Sequence, residues 1–278
     1  MIKRLLILLL LCSSVLGQVP YQKPMLGQQI DWSNPLSKGL VGYWLMNEGT
    51  GNTVVDLSGY SGTLDSWTGA LQWAAGKFGP CLYFNGDDAY IQSSISPQYG
   101  PTTAFTVSMW IMPTADNYAE TLIGWNEHGG SYGIRIWLDP VNGSDSAIGV
   151  YLRTVGTNTG TTSQFALNQW HHLCVTYDGA VIKYYRNAHE DDSDVDSGVL
   201  DYAYTDPITL GADYDGTGLY EGYMDDVLVY NRALSASEVT DLCSNPFGLS
   251  QPTFSVWWYS GIGGEAPATF GQVIMIGN

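Results

Sequence analysis

The fold is decided by residues 222–239, GYMDDVLVYNRALSASEV, in which a strand pattern gives way to a helix pattern. The first half is a short apolar and aromatic run, which is typical of a buried β-strand. Ser235 and Glu238 then form a capping box in front of the run VTDLC, and this spacing predicts a short helix directly after the strand. Two adjacent carboxylates, Asp225 and Asp226, interrupt the strand pattern and require an explanation.

Upstream of this stretch, from Gly39 onward, the chain is a succession of short segments rich in aromatic and β-branched residues. Gly, Asn and Asp separate them at roughly the spacing of an antiparallel sandwich or barrel, and Asp178-Gly179 is a hairpin-turn pair. We find no alternation of helices and strands that would indicate a parallel sheet. The predicted strands lie in GLVGYWLMN, TVVDLS, CLYFNG, AYIQSS, FTVSMWIMP, ETLIGWN, SYGIRIWLD, AIGVYLRTV, QWHHLCVTYDG, AVIKYYRNA, PITLGAD and GYMDDVLVYNRA.

The beginning of the chain predicts a secretory signal peptide over residues 1–17. Lys3 and Arg4 precede an apolar run at 5–11, and Gly17 supplies the small residue before the predicted cleavage. This run is too short to cross a bilayer, and no later apolar run reaches that length. We therefore expect a secreted protein without a membrane span, located outside the cell or at the cell surface.

The charge of the chain excludes two classes of partner. The 278 residues carry a net charge of -17, and removal of Lys3 and Arg4 leaves 8 basic and 27 acidic residues, or -19. Such a surface repels nucleic acid and anionic membranes. The 33 glycines, 19 tyrosines and 10 tryptophans indicate a folded β protein with many turns rather than a disordered chain.

Three regions follow from the patterning: a lead-in at 18–38, a strand-rich domain at 39–245 and a tail at 246–278. The lead-in has little pattern and is predicted to be extended. The tail is rich in Gly and Pro and contains the apolar strings FSVWWYS and QVIMIGN, which would be sticky if exposed. Two interpretations stay open for the tail: it packs on the domain, or it docks on a protein partner or a neighbouring copy.

Several strings together resemble one family, the laminin-G/pentraxin-like group of concanavalin A-type lectin and glucanase domains. They are GLVGYWLMNEGTGNTVVDLSG, GKFGPCLYFNGDDAYI, FTVSMWIMP, NQWHHLCVTYDGAVIKYYRNA, and ITLGAD followed by GYMDDVLVYNRALSASEV. The resemblance runs from about Gly39 to Cys243. It implies an all-β jelly roll of two antiparallel sheets, one of them concave, with one short helix after the last strand.

The cysteines depart from the pattern of the pentraxins. In pentraxins, a cysteine in the strand matching HHLCVTYDG pairs with one in the strand matching FTVSMWIMP. Cys174 fits the first position, but Ser108 occupies the second, so the family disulfide is missing. Cys81, Cys174 and Cys243 remain after cleavage, and either one bridge with one thiol or three buried thiols is compatible with the sequence.

The adjacent carboxylates suggest a structural calcium ion. Neighbouring strand residues point to opposite faces, so one carboxylate of the pair faces inward and must be hydrogen-bonded, paired or bound to metal. Related jelly rolls carry a structural calcium, which the resemblance implies here. The alternative is an acid that accepts backbone N–H bonds and staples a loop. The predicted calcium ligands are Asp226, Asp225, Glu48, Asp56, Asp87 and Asp88.

Catalytic motifs are absent from the sequence, which predicts a domain that is not an enzyme. Glucanases of this superfamily carry Glu-x-Asp-x-Glu on one strand, and the nearest string, at 190–194, lacks the second Glu. The four histidines lack zinc spacing, and no Gly-x-Ser-x-Gly elbow is present. The acidic run at 191–201 has Ser197 and Ala203 where an EF-hand needs Gly and Glu, so we predict a solvated hairpin loop.

Aromatic and basic residues alternate with apolar ones on three predicted strands. If these strands are neighbours in the concave sheet, their polar faces form a platform on which sugar rings stack and arginines grip acidic groups. The alternative is cation–aromatic stacking that only coats the sheet. The predicted ligand-binding residues are Arg135, Trp137, Tyr151, Arg153, Lys183 and Tyr185.

Three functions follow, in order of preference. The first is a secreted, lectin-like domain that binds an extracellular or surface glycan, with an acidic glycan as one option. The second is an adhesion or structural protein whose tail docks it into a surface assembly, with a protein partner or a second copy. The third is a glycoside hydrolase with an unrecognised site.

Overall fold

A computed structural model describes residues 22–93, 103–117, 119–125, 133–140, 146–152, 157–160, 165–195, 207–213 and 215–250. Within these ranges the chain forms β-strands, a 3-10 helix at Pro35–Ser37 and an α-helix, α1, at Ala236–Ser244. The strands are β1 (Leu40–Trp44), β2 (Leu64–Thr68), β3 (Gln72–Ala75), β4 (Pro80–Asn85), β5 (Tyr90–Ser93), β6 (Phe105–Pro113), β7 (Glu120–Trp125), β8 (Ile134–Pro140), β9 (Ser146–Leu152), β10 (Thr157–Gly160), β11 (His171–Tyr177), β12 (Val181–Arg186), β13 (His189–Val195), β14 (Thr209–Leu210) and β15 (Glu221–Tyr230).

The strands form two antiparallel sheets that pack as a sandwich, which confirms the predicted all-β jelly-roll class. The larger sheet has the order β13, β12, β11, β6, β15, β4, β3, and β1 also pairs with β15. The smaller sheet has the order β10, β9, β8, β7, β14, β5, β2. The predicted hairpin at Asp178-Gly179 joins β11 to β12, and the Asp178 side chain accepts the backbone N–H of Ala180 at 2.9 Å.

The main core lies between the two sheets and follows the alternation of the strands. Val107, Met109 and Ile111 face it from β6, and Ile134 and Ile136 face it from β8. Burial of one such aliphatic side chain stabilises the fold by about 1.5–3 kcal/mol relative to exposure. The inward residues of the central strands are therefore fixed by their hydrophobicity, as the sequence predicts for β8.

A second apolar cluster covers the outer face of the larger sheet beneath α1. Val239 and Leu242 of the helix belong to it, together with Leu228 and Tyr230 of β15. The predicted capping box is present at Ser235 and Glu238, so the helix begins where the sequence indicates. Packing on this cluster stabilises α1, because an isolated helix of 9 residues is not stable in water.

The segment before β1 packs on the same outer face and is not extended throughout. Ile30 is buried in the second cluster and bridges Ser250 in an antiparallel sense. Asn34 caps the 3-10 helix by accepting the Leu36 N–H at 2.9 Å. No helix within the described ranges is long and apolar enough to cross a membrane.

The acidic run predicted as a loop is partly a strand. Residues 191–195 belong to β13, which pairs with β12 at the edge of the larger sheet, and residues 196–201 lie outside the described ranges. Charged side chains on an edge strand oppose pairing with other chains. The sequence pattern was misleading because a strand with Asp and Glu on both faces lacks apolar alternation. Conversely, TVVDLS forms only isolated bridges, Val54 to Leu64 and Asp56 to Trp44.

Cys81, Cys174 and Cys243 are free thiols, and the first two are buried. Cys174 lies directly opposite Ser108 in the pairing of β11 with β6, where the family disulfide would form. Ser108 instead hydrogen-bonds His172 through Nε2 at 2.8 Å. Complete burial lowers the pKa of His172 to about 3, so this imidazole is neutral and structural.

Candidate functional site

The predicted ligand platform is divided between the two sheets. Arg135 and Trp137 lie on β8 of the smaller sheet, whereas Lys183 and Tyr185 lie on β12 of the larger one. Tyr151 is opposite Arg135 in backbone register, but its side chain is outside the described part of the chain. Arg153 also lies outside the described residues. The prediction of one shared platform was wrong, because the pattern of a strand does not reveal its sheet.

The side chains of Arg135 and Trp137 on β8 make contacts within the fold. The Arg135 guanidinium forms an ion pair with Asp213 at 2.9 Å and donates to Thr121 Oγ1 at 2.8 Å and Ala119 O at 2.9 Å. It also lies 5.1 Å from the ring centroid of Trp137, which is only 8% exposed. This is the predicted alternative, cation–aromatic stacking that coats a sheet.

Lys183 and Tyr185 of β12 both contact Glu190 of the edge strand β13. Tyr185 is buried in the second cluster, and its hydroxyl donates to Glu190 at 3.2 Å. Lys183 forms a surface ion pair with the same carboxylate at 3.0 Å. Glu190 therefore uses both side chains to hold β13 against β12.

A β-bulge places Asp225 and Asp226. Opposite β6 the register shifts by one residue between Asp225, which pairs with Trp110, and Leu228, which pairs with Ser108. Asp226 has a φ of 51°, in the left-handed region. Met224 and Val227 both face the main core, so neither acid does, and the prediction that they take opposite faces was wrong.

Both carboxyl groups are buried beside a lysine from the lead-in. The Lys23 ammonium forms an ion pair with Asp225 and donates to the carbonyls of Met46 and Pro80. Burial raises the pKa of Asp225 to about 7, although Lys23 opposes this shift. Burial and then the charge of Asp225 raise the pKa of Asp226 well above its usual range. One cation faces two buried acids, which disfavours ionisation of both carboxyl groups at once.

The six predicted calcium ligands do not converge. Asp225 accepts from Lys23, Asp87 is exposed, and Asp88 accepts the Ala70 N–H at 2.9 Å. Glu48 accepts the Val55 N–H at 2.9 Å. The described ranges contain no group of three or more His, Cys, Asp or Glu side chains placed to hold a metal ion. The side chains present do not fit a calcium site.

Asp56 is instead a loop staple, the predicted alternative. Its Oδ1 accepts the N–H of Tyr43 and of Ser58, each at 2.9 Å. Its Oδ2 accepts the N–H of Ser61 at 2.8 Å and of Gly62 at 3.1 Å. One buried carboxylate thus fixes the loop that joins β1 to β2.

The stapled loop carries Tyr60 into an open groove that the sequence did not reveal. The Tyr60 ring stands edge-on to Trp32, with centroids 6.2 Å apart and an interplanar angle of 81°. Trp32 is 53% exposed and Tyr60 is 41% exposed. The groove has a volume of about 680 Å³. It is lined by Trp32, Ser33, Asn34, Pro35, Ser37, Lys38, Gly39, Leu40, Val41, Tyr60 and Asn231.

Hydrogen bonds anchor both walls of the groove. Asn34 caps the 3-10 helix and also donates to Gly248 O at 2.9 Å, which anchors the Trp32 wall to the end of the domain. On the other wall, the Tyr60 N–H donates to Ser58 Oγ at 3.2 Å. Trp32 was missed because it lies in DWSNPLS, which has no strand pattern, although a Trp in such a polar stretch is itself a signal of a binding surface.

Comparisons with known proteins agree with this architecture. A family model described as concanavalin A-like lectin/glucanases superfamily matches residues 85–240, more than half of the chain. The adhesion G-protein coupled receptor V1 of Danio rerio is 24% identical over 150 residues, a match that covers 51% of this chain and 2% of that protein. Trp32 and Tyr60 precede the matched span, whereas Asn231, which also lines the groove, lies within it.

Solved structures of other proteins share the fold. One is domain 4 of AbnA, a GH43 extracellular arabinanase from Geobacillus stearothermophilus, in complex with arabinotriose. It is 20% identical, with a TM-score of 0.57, and the match covers 73% of this chain and 98% of that chain. Another is a structure of botulinum neurotoxin type C, a toxin whose cell entry depends on interaction with two ganglioside molecules. It is 14% identical, with a TM-score of 0.54, over 75% of this chain and 51% of that one.

Proposed function

The chain belongs to the concanavalin A-like lectin/glucanases superfamily, and from this premise we propose that it is a non-catalytic glycan-binding domain. The observation that carries the proposal is the pair of exposed rings, Trp32 and Tyr60, in one open groove. They are the aromatic members of the exposed large apolar side chains in the described ranges. Aromatic rings of this kind cover the apolar face of a sugar and keep a polar edge in water.

The rim of the groove supplies polar groups for the sugar hydroxyls. Asn231 contributes a side-chain amide and the exposed Lys38 contributes a cation, whereas the Asn34 amide is already hydrogen-bonded to Leu36 and Gly248. An amide can donate and accept at once, which matches a hydroxyl group. In a chain with a net charge of -17, a lysine at the groove favours a glycan with a carboxylate or sulfate.

The lining also favours binding over cleavage. Glycosidases commonly use two carboxyl groups that flank the bond to be broken. None of the residues that line the groove within the described ranges is Asp or Glu. The groove therefore suits recognition, and the arabinotriose complex and the ganglioside-dependent neurotoxin are in keeping with a fold that accepts sugars.

Export to the outside of the cell is part of the proposal. It rests on the predicted signal peptide at 1–17, which lies outside the described residues, and on the acidic composition.

A glycan array with the folded chain tests the function. Wild type, Trp32→Ala and Tyr60→Ala are applied with and without a calcium chelator, and Tyr223→Ala, a half-buried ring on β15, is the matched control. We expect binding by wild type and the control, and loss of about tenfold in affinity for Trp32→Ala, equivalent to ~1.4 kcal/mol. Lys38→Glu should weaken acidic glycans selectively. A silent array, or Trp32→Ala binding like wild type, would contradict the proposal.

A second candidate function is self-association through apolar contacts. Met25, Leu26 and Val55 are exposed around a pocket of about 260 Å³. The lining includes Gln28, two residues before Ile30, which bridges Ser250, and the apolar tail that follows Ser250 lies outside the described residues. We infer that this patch receives the tail of a neighbouring copy. Light scattering of wild type and Leu26→Asp tests this, and a monomeric wild type at all concentrations would refute it.

A further inference from the structure

The most unusual chemistry in the fold lies away from the groove, at Lys23, Asp225 and Asp226. The Lys23 side chain is 2% exposed, that of Asp225 is fully buried, and their nitrogen and oxygen atoms are in direct contact. They are 202 residues apart in the sequence. None of these three residues lines the groove. Their burial also distinguishes them from an ion pair at the protein surface.

Within the described ranges, the ion pair leaves one oxygen atom of each carboxyl group without a hydrogen-bond donor. Asp225 Oδ2 and Asp226 Oδ1 are buried without a hydrogen-bond partner among the described residues. Buried polar atoms without partners are rare and costly, and a buried charge is more costly still. One amine and two carboxyl groups therefore meet in a site closed to water, where burial raises the pKa of both acids.

An amine in contact with a carboxyl group is the pair of reactants for an amide condensation. The Lys23 nitrogen is held against Asp225 by two further acceptors, Met46 O and Pro80 O, so it is positioned rather than mobile. Such positioning replaces the entropy cost of bringing two reactants together. The neighbouring Asp226, placed on the same side of the sheet by the bulge, is a group that can carry a proton between them.

We propose that Lys23 and Asp225 become joined by an intramolecular amide bond, with Asp226 as the proton carrier. The Lys23 ammonium passes one proton to the Asp225 carboxylate, and the freed lone pair of Nζ attacks Cγ, so that one C–N bond forms. Asp226 donates its proton to the departing hydroxyl and accepts one from the nitrogen, so that one C–O bond breaks, one water molecule leaves and Asp226 ends protonated. Nothing is oxidised or reduced, and no co-reactant is needed.

The bond has a mechanical consequence for the fold. It ties the lead-in, which carries Trp32, to β15 at the centre of the larger sheet. A crosslink between residues 23 and 225 closes a long loop and restricts the unfolded chain. The groove wall would then stay attached under conditions that separate non-covalent segments.

Intact mass spectrometry of the denatured full chain tests the proposal directly. Wild type is expected to weigh one water molecule less than its sequence predicts from its observed N-terminus. Peptide mapping should then find a branched peptide that contains Lys23 and Asp225. A wild-type chain of full sequence mass, without a branched peptide, would overturn the proposal even if every variant folds.

Three variants separate the amide from other losses of water. Lys23→Arg keeps the cation but removes the nucleophilic amine, and Asp226→Asn keeps the shape but removes the proton carrier; both should have full mass. Asp87→Asn, at an exposed acid, should still lose water. Loss of water that persists in Lys23→Arg would come from cyclisation of an aspartyl backbone and would overturn the proposal. Because the bond can form only in the folded site, circular dichroism before denaturation identifies the folded variants, and full mass counts only for those.

Discussion

Replacement of Asp56 by Ala should both destabilise the fold and disable the groove. The Asp56 carboxylate accepts four backbone N–H groups, from Tyr43, Ser58, Ser61 and Gly62. Each loses its acceptor in Asp56→Ala, and at about 1 kcal/mol per hydrogen bond the free energy of unfolding falls by roughly 4 kcal/mol. Since the same loop presents Tyr60, glycan affinity should fall along with stability.

Urea unfolding followed by tryptophan fluorescence measures the effect. Asp56→Asn is the matched variant, because it keeps the volume and one acceptor oxygen and should lose about half as much. Asp87→Asn, at an exposed acid, should change stability by less than about 0.5 kcal/mol. If Asp56→Ala lost less than about 1 kcal/mol, the staple would not hold the loop. If Asp56→Asn removed a calcium-dependent shift in melting temperature, a metal would hold it instead.

Three further substitutions test the β-bulge at Asp226, the N-cap of α1 at Ser235 and the buried indole of Trp137. The folded pKa of Asp226 is raised above its unfolded value, so the folded state binds the extra proton, and stability should fall as pH rises above about 4. Asp226→Asn should flatten this decline in urea titrations at several pH values, and an unchanged slope would refute it. Ser235→Ala should cost about 1 kcal/mol by loss of the N-cap, whereas no change in the unfolding midpoint would argue against the capping box. Trp137→Ala should cost about 3–5 kcal/mol and leave glycan affinity unchanged, because its ring is buried; lost affinity in a folded variant would restore the platform.

Local signals in the sequence predicted much of the fold. The alternation of Ile134, Ile136 and Leu138 marked the inward face of β8, and the structure buries all three in the main core. Ser235 and Glu238 marked the start of α1 because a capping box is encoded within four residues. These predictions succeeded because each depends on neighbours in the chain.

The predictions that failed depend on which strands pair with each other, and the sequence of a single strand does not contain that information. Periodicity gave β8 and β12 the same kind of outer face, but pairing put them in different sheets. Alternation assigned Asp225 and Asp226 to opposite faces, but the register with β6 contains a bulge that no local pattern announces. Both errors displaced predicted site residues, Lys183 and Tyr185 in the first case and the acid pair in the second.

The groove was missed for a related reason. Trp32 and Tyr60 are 28 positions apart, in segments without strand pattern, and become neighbours only through the Asn34 cap and the Asp56 staple. A sequence shows that an aromatic residue lies in a loop, but exposure of its ring depends on how the loop is anchored. Asp56 was singled out for calcium, whereas the structure gives it four backbone N–H groups to accept.

The most direct test of the account compares Trp32→Ala with Trp137→Ala in calorimetric titrations with the best array glycan. Both remove an indole, but Trp32 is 53% exposed in the groove and Trp137 is 8% exposed over the smaller sheet. The account predicts that Trp32→Ala loses about tenfold in affinity or more while Trp137→Ala, once shown to be folded, binds like wild type. Equal affinities for wild type and Trp32→Ala, or a loss confined to Trp137→Ala, would contradict the groove as the glycan site.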